Sequence, residues 1–247
     1  MGTIDYFNTF IDIIYPRQCF ACDKPIEDNM EKYVCRPCLG KIKIGEDNRC
    51  VRCGLSLGQY ADKETFGCIL CKDLSLWFDS VHCVGEYAGI IKELIHKFKY
   101  GRNEVLHITL GGLLVKGVSC VNIMNYIDLV VPVPLFWTKR LKRRFNQSEL
   151  ISKELAKYYS LPHSKGNLRR IRATETQTKL TRNQRIANVK GAFNVRKPGK
   201  LTNKRILLVD DVMTTGMTTS ECARILKENG ACRVEVLVLG RSGSLSF

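Results

Sequence analysis

No part of the chain holds 18 consecutive apolar residues free of charge. The long apolar stretch at 105–127 is broken by Lys116 and several glycines, so no membrane span is expected. The start of the chain lacks a basic n-region and a small-residue cleavage site, and Asp5 and Asp12 interrupt its apolar residues. No secretory signal is read there, and a cytoplasmic location is expected. Histidine is scarce: His82, His96, His107 and His163 share no ligand spacing, and none is assigned a role. Acidic residues are in deficit, with 24 Asp+Glu against 39 Lys+Arg. Low-complexity tracts are absent, and the only repeat is one of cysteine pairs. What remains is a chain of 247 residues, 45% hydrophobic and 26% charged, which excludes general disorder. The length suits one catalytic-size domain with a small accessory module.

The net charge of +15 is concentrated. Residues 137–205 hold 20 basic and 3 acidic side chains, an excess of +17, while the rest of the chain is close to balanced. A field focused in this way attracts polyanions, whether phosphorylated metabolites, pyrophosphate or a nucleic-acid backbone. A solvated basic face without a partner is the plain alternative, but +17 in one segment exceeds what solubility requires.

Eight of the twelve cysteines form four C-x2-C pairs in the first 71 residues: Cys19/Cys22, Cys35/Cys38, Cys50/Cys53 and Cys68/Cys71. Two residues between thiolates let both sulfurs reach one ion from a tight turn, and two such knuckles complete a tetrahedral site. The simplest assembly is two consecutive ribbons with one Zn²⁺ each; spacing leaves open an interleaved pairing of the first knuckle with the third. A disulfide scaffold fits poorly without a secretion signal, and a redox pair would not come in four copies. Four thiolates leave no open coordination position, so the sites read as structural. Cys83, Cys120, Cys222 and Cys232 are scattered singly and are expected to be small buried hydrophobes.

Ile4, Phe7, Ile11 and Ile14 are spaced as one stripe of a short amphipathic helix over 1–15. After the cysteine module, read over 16–80, strands and helices alternate. Strands are expected at 81–88, 128–133, 166–171, 205–210 and 233–239. Helices are expected at 89–99, 105–115, 147–159 and 218–229, the last ended by Gly230. Residues 174–185 are polar without an apolar period and read as a mobile loop. This order predicts an α/β domain over 81–247, with a parallel sheet and crossover helices.

The sharpest motif is ILLVDDVMTTGMTTSE at 206–221: strand, acidic pair, Thr/Gly turn and helix start. Ligands of parallel sheets sit beyond the carboxyl ends of strands. There Asp210 and Asp211 can accept from two vicinal ribose hydroxyls. The turn offers the hydroxyls of Thr214, Thr215 and Thr218 and the amides of Gly216 and Met217, a cradle for a phosphate at a helix N-terminus. An acidic turn followed by a threonine cap is the plain alternative.

VDDVMTTGMT (209–218) resembles the phosphoribosyl pyrophosphate (PRPP) signature of type I phosphoribosyltransferases. With the N-terminal knuckles, the whole chain resembles the ComF family of double-zinc-ribbon competence proteins. KFKYGRN (97–103), VPVPL (131–135), KRRFNQS (142–148) and TQTKLTRNQRIANVKGAF (176–193) resemble that family in order, over roughly residues 16–240. One departure is Arg144, where the family pattern has glycine. The resemblance implies a type I phosphoribosyltransferase-like parallel sheet flanked by helices, preceded by a small double zinc ribbon with four cysteines per ion. It gives Asp210 and Asp211 to the ribose, and Thr214, Thr215, Gly216, Met217 and Thr218 to the 5′-phosphate. It gives the loop with Lys139, Arg140, Lys142, Arg143 and Arg144 to pyrophosphate with Mg²⁺, and Lys179, Arg182 and Arg185 to a lid. Two functions follow from it. One is PRPP binding coupled to handling of single-stranded DNA alongside other DNA-uptake proteins. The other is phosphoribosyl transfer to a small nitrogenous acceptor.

Overall fold

Near-continuous apolar runs such as RILLV and VEVLVL can bury both faces only inside a layered sheet, and that is where they lie. The computed structural model describes residues 17–26, 32–45, 48–57, 68, 71, 74–101, 103–119, 121–173 and 188–243. The helix expected over 1–15, Cys120, and the lid residues Lys179, Arg182 and Arg185 lie outside them. In chain order the elements are α1 (Arg36–Gly40), β1 (Ser80–Glu86), α2 (Gly89–Tyr100), α3 (Leu106–Ser119) and β2 (Leu129–Pro132). Then come α4 (Trp137–Arg143), α5 (Gln147–Tyr158), β3 (Leu168–Arg170), β4 (Phe193–Val195), β5 (Arg205–Met213), α6 (Met217–Glu228) and β6 (Arg233–Arg241).

The main sheet has the order β1-β6-β5-β2, and every pair in it is parallel. Side chains alternate across it with period two. Val84, Val130, Leu207, Val209, Leu237 and Leu239 join the layer packed by α2, α3 and α5. Val81, Leu129, Val131, Ile206, Leu208, Val236 and Val238 join the layer under α6. The first ribbon shares the former layer through Cys19, Ile26, Val34, Cys38 and Ile42. The second ribbon keeps a small cluster of its own around Leu55.

Several expectations are corrected. The strand expected to stop at the acidic pair runs three residues further, because β6 supplies backbone partners as far as Met213↔Arg241. The strand expected at 166–171 is not in the parallel sheet; β3 pairs antiparallel with β4 as a separate two-stranded ribbon. The stretch after VPVPL, read as a loop, contains the short helix α4. Cys222 is buried as expected, but Cys83 is only half-buried, and Cys232 is exposed because it precedes β6 rather than lying in it. No helix among the described residues is long and apolar enough to cross a membrane.

Candidate functional site

The carboxyl ends of β2 and β5 open into a cavity of about 180 Å³. Its acidic wall comes from β5. Asp211 is buried and pairs with Lys99 Nζ of α2 at 2.8 Å. Asp210 Oδ1 accepts from Ser148 Oγ of α5 at 2.8 Å and from the Asp211 amide at 2.9 Å. Burial and the neighbouring Asp211 charge push the Asp210 carboxyl up to about 7, against the opposing pull of Ser148 and Lys99. Burial depresses Lys99, but Asp211 outweighs it, and the net shift is upward. The pair is therefore held in place, and at neutral pH one of its members sits near its titration point.

The facing wall is cationic. Lys139 and Arg143 of α4 and Arg170 of β3 all line the cavity. Burial, then the charges of Arg170 and Arg143, lower the Lys139 ammonium. That crowding is the mark of a place that gains from an anion. The N-terminus of α5 points into the same space with Asn146, Gln147 and Ser148. Asn146 caps no amide of this helix; its Nδ2 donates instead to the Val133 carbonyl at 3.0 Å. Gln147 is 1% exposed; its Oε1 accepts from Arg143 at 3.2 Å, while its Nε2 has no hydrogen-bond partner among the described residues. A buried amide donor beside an uncapped helix start is poised for a negatively charged ligand.

The Thr/Gly turn follows β5. Gly216 adopts φ +79°, a left-handed conformation that penalises any side chain. It stands as the cap of α6, whose first turn receives no side-chain cap. Thr215 Oγ1 is buried and likewise without a partner among the described residues. Met217 turns its side chain into the core, so it can offer only its amide to a ligand.

Of the residues read as site candidates, Asp210, Asp211, Thr218, Lys139 and Arg143 line this cavity. Thr214, Thr215, Gly216 and Met217 form the turn and helix start that precede Thr218. Arg140, Lys142 and Arg144 are exposed and do not line the cavity, and Arg140 reaches Glu149 at 4.0 Å instead. Lys99, Asn146, Gln147, Ser148 and Arg170 went unread as site residues. Four of them lie in KFKYGRN and KRRFNQS, so the motifs were visible but their roles were not. Arg144 departs from the family pattern at a residue with φ +70°. Replacing it with glycine is expected to stabilise the protein by about 0.5–1 kcal/mol, since a left-handed L-residue is strained and glycine is not. A denaturant midpoint unchanged by Arg144→Gly would contradict this.

The eight knuckle cysteines form two groups, Cys19/Cys22/Cys35/Cys38 and Cys50/Cys53/Cys68/Cys71, each with its sulfurs within 4.8 Å of one another. The consecutive pairing is thus the one the fold adopts. Cys22–Cys35 sulfurs are 3.8 Å apart, Cys50–Cys71 3.7 Å and Cys53–Cys68 3.5 Å. A tetrahedron of sulfurs around Zn²⁺ has an edge of about 3.8 Å, whereas a disulfide bond is about 2.05 Å. Amides of Ala21 and Cys35 donate to Cys19 Sγ, and that of Cys68 to Cys50 Sγ, which favours thiolates. The residues fit a structural zinc at each site.

The chain matches the double zinc ribbon domain over residues 10–75 and the phosphoribosyl transferase domain over residues 86–245. It is 27% identical to Competence protein F of Haemophilus influenzae, over 87% of this chain and 99% of that protein. It is 25% identical to Competence protein ComFC of Bacillus subtilis, over 91% and 95%. It is 30% identical to DNA utilization protein YhgH of Escherichia coli K12, over 92% and 98%. The chain belongs to the ComF family. In this ComF protein the double ribbon is laid along the sheet and helices of the phosphoribosyltransferase-type fold. Asp23 of the first ribbon pairs with Lys97 of α2 at 2.9 Å, and the Val81 amide of β1 donates to the Val51 carbonyl of the second.

Proposed function

We propose that this ComF protein binds PRPP, or a closely related phosphorylated ribose, in the cavity at the end of β5. The observation that carries this reading is one small cavity with a fixed carboxylate pair on one wall and Lys139, Arg143 and Arg170 on the other. Asp210 and Asp211 accept from the ribose hydroxyls. The amides of the turn and of the start of α6, with Thr215 and Thr218, take the 5′-phosphate. The α4 cations and the uncapped start of α5 take the pyrophosphate. All the acidic donors are oxygens, which suits Mg²⁺ carried in with the pyrophosphate; Mg²⁺ would supply neutralisation of that leaving group. If an acceptor is present, the anomeric C–O bond to pyrophosphate breaks and a C–N bond to the acceptor forms. Titration calorimetry with PRPP and Mg²⁺ is expected to show binding, and PRPP with an acceptor library to show whether pyrophosphate is released. No binding heat at any magnesium concentration would end this reading.

A second reading, handling of single-stranded DNA in the cytoplasm, rests on the face beside the cavity. Trp137 and Leu141 of α4 are 61% and 71% exposed among Arg140, Lys142 and Arg144. Tyr100, 63% exposed, carries the Arg143 guanidinium 5.2 Å from its ring centre. Aromatics interleaved with cations are what a single strand needs for stacking and backbone contact. Phe145 and Phe193 are buried, and Tyr158 lies at the far end of α5, so among the described residues beside the cavity the platform is made by Trp137, with half-buried Phe136 5.9 Å from it, and by Tyr100. Trp137→Ala is expected to weaken oligonucleotide binding by about 1–3 kcal/mol. Binding should also fall steeply with salt. A flat salt response or an unaffected variant would remove this face from the reading.

A further inference from the structure

Arg241, the last residue of β6, is buried at 7% exposure. Its guanidinium ties two distant parts of the chain together. Nε donates to the carbonyl of Cys53, in the second cysteine group, at 3.0 Å. Nη1 donates to the carbonyls of Met213, at 3.4 Å, and Thr214, where the turn read as the 5′-phosphate cradle begins. Nη1 also meets the Ser242 carbonyl, and the Ser242 amide returns a bond to Met213 O at 2.9 Å. The described acceptors of this arginine are all backbone carbonyls, so it acts as a fork joining loops rather than as half of an ion pair.

The second ribbon has no slack where Arg241 grips it. A side-chain carbon at Gly54, next to Cys53, would lie 2.6 Å from Cys83 Sγ and 2.8 Å from Val81 Cγ1, so the knuckle is seated directly on β1. The segment leaving this ribbon also reaches the turn. The Trp77 amide donates to Ser220 Oγ in the first turn of α6 at 3.1 Å, and buried Phe78 lies under Gly216. The first ribbon is placed otherwise. Its contacts run to α2 and β1, through Asp23–Lys97 and through the Gly45 amide to Val84 O at 3.3 Å.

We propose that Arg241 is a positioning residue that makes the Thr214–Thr218 turn depend on the metal state of the second ribbon and not of the first. This rests on the PRPP reading for the identity of the ligand. With the Cys50/Cys53/Cys68/Cys71 group closed on its ion, the Cys53 carbonyl is fixed, and through Arg241 so are the carbonyls of Met213 and Thr214. The amides that follow are then aimed at a phosphate. With that group open, the fork loses one anchor and the turn gains freedom. Coupling of this kind acts through a contiguous set of hydrogen bonds with two arrangements.

The test uses the full-length protein carrying Arg241→Lys, which keeps the charge but cannot span both loops. Ribose 5-phosphate and inorganic pyrophosphate are titrated separately, zinc is counted by elemental analysis, and amide hydrogen exchange is followed over residues 214–220. The expected result is two zinc ions retained, ribose 5-phosphate affinity down roughly tenfold, pyrophosphate affinity unchanged within error, and faster exchange in the turn. Cys50→Ser in the second ribbon should repeat the ribose 5-phosphate loss, while Cys22→Ser in the first should not. Unchanged ribose 5-phosphate binding, an equal loss for both ligands, or equal effects of the two cysteine variants would each overturn the proposal. If the wild-type protein binds neither ligand, the PRPP reading fails by itself. Exchange in the turn then decides on Arg241: faster in Arg241→Lys supports the linkage, and unchanged overturns it.

Discussion

Asp210→Asn is expected to raise the melting temperature at pH 8 and to abolish PRPP binding at the same time. The carboxyl is held up at about 7 from its ordinary 3.8, by burial first and by Asp211 second. A folded-state acid that keeps its proton longer than the unfolded chain adds stability while protonated. That contribution is complete below about pH 4 and is lost as pH rises through about 7. At pH 8 the ionised Asp210 therefore opposes folding by a few kcal/mol, at ~1.4 kcal/mol per pKa unit, softened by its coupling to Asp211. Asparagine keeps an oxygen for Ser148 and removes the charge. For a chain of this size the gain should appear as about 5–10 °C in melting temperature. Wild-type protein should lose stability between pH 4 and 7, and the variant should lack that slope. PRPP binding by the wild type should strengthen from pH 6 to 8 as Asp210 ionises. Asp211→Asn should behave oppositely and destabilise by about 3 kcal/mol, because it takes the ion-pair partner from Lys99, a half-buried cation, and leaves only the more distant pull of Asp210. Full PRPP affinity in Asp210→Asn would remove this residue from the ribose site; a flat stability profile would remove the electrostatic argument.

Zinc removal should have the largest effect on folding. Structural zinc contributes apparent binding energies of about 10–16 kcal/mol per site, comparable to or larger than the net stability of a domain. Elemental analysis is expected to give two zinc ions per chain. A strong chelator should unfold the region around residues 17–76 and also lower the melting temperature of the sheet domain. The second effect follows because Cys19, Cys38, Val34 and Ile42 lie in the same apolar layer as Leu94, Leu110 and Leu114 of α2 and α3. Loss of the first ribbon therefore uncovers that layer. The second ribbon, with its own small cluster, should leave the layer intact when it opens. A protein that is folded and metal-free, with an unaltered melt, would refute the ribbon assignment.

The parts of this molecule governed by local pattern were legible in the sequence. Helix α2 follows from Ile91, Leu94, Ile95 and Phe98 on one stripe, and the four cysteine knuckles follow from their spacing, although only the fold shows that they pair consecutively. The acidic pair and the turn after it were readable because strand, carboxylates, hydroxyls and glycine are consecutive. Lys99, Gln147, Ser148 and Arg170 were not, because they reach the cavity from three different elements and only tertiary packing brings them together. Helix α4 was hidden because its seven residues carry four cations and no buried side chain, so no apolar period marks it. The extent of β5 was hidden for a different reason. Its last residues are held by bonds to β6, which come from a segment more than twenty residues away.

The order β1-β6-β5-β2 also bears on how the chain is made. Among the described strands, β1 has β6 as its only partner in the sheet, so residues 80–86 wait for residues 233–241. During synthesis the first strand emerges early and stays unpaired until the last one leaves the ribosome, which sets a late and slow closure of the sheet. The cysteine groups need nothing beyond residue 71 and can capture metal long before. A nascent chain stalled short of residue 233 should therefore hold zinc yet lack a cavity, and it should recruit chaperones through its exposed apolar strand.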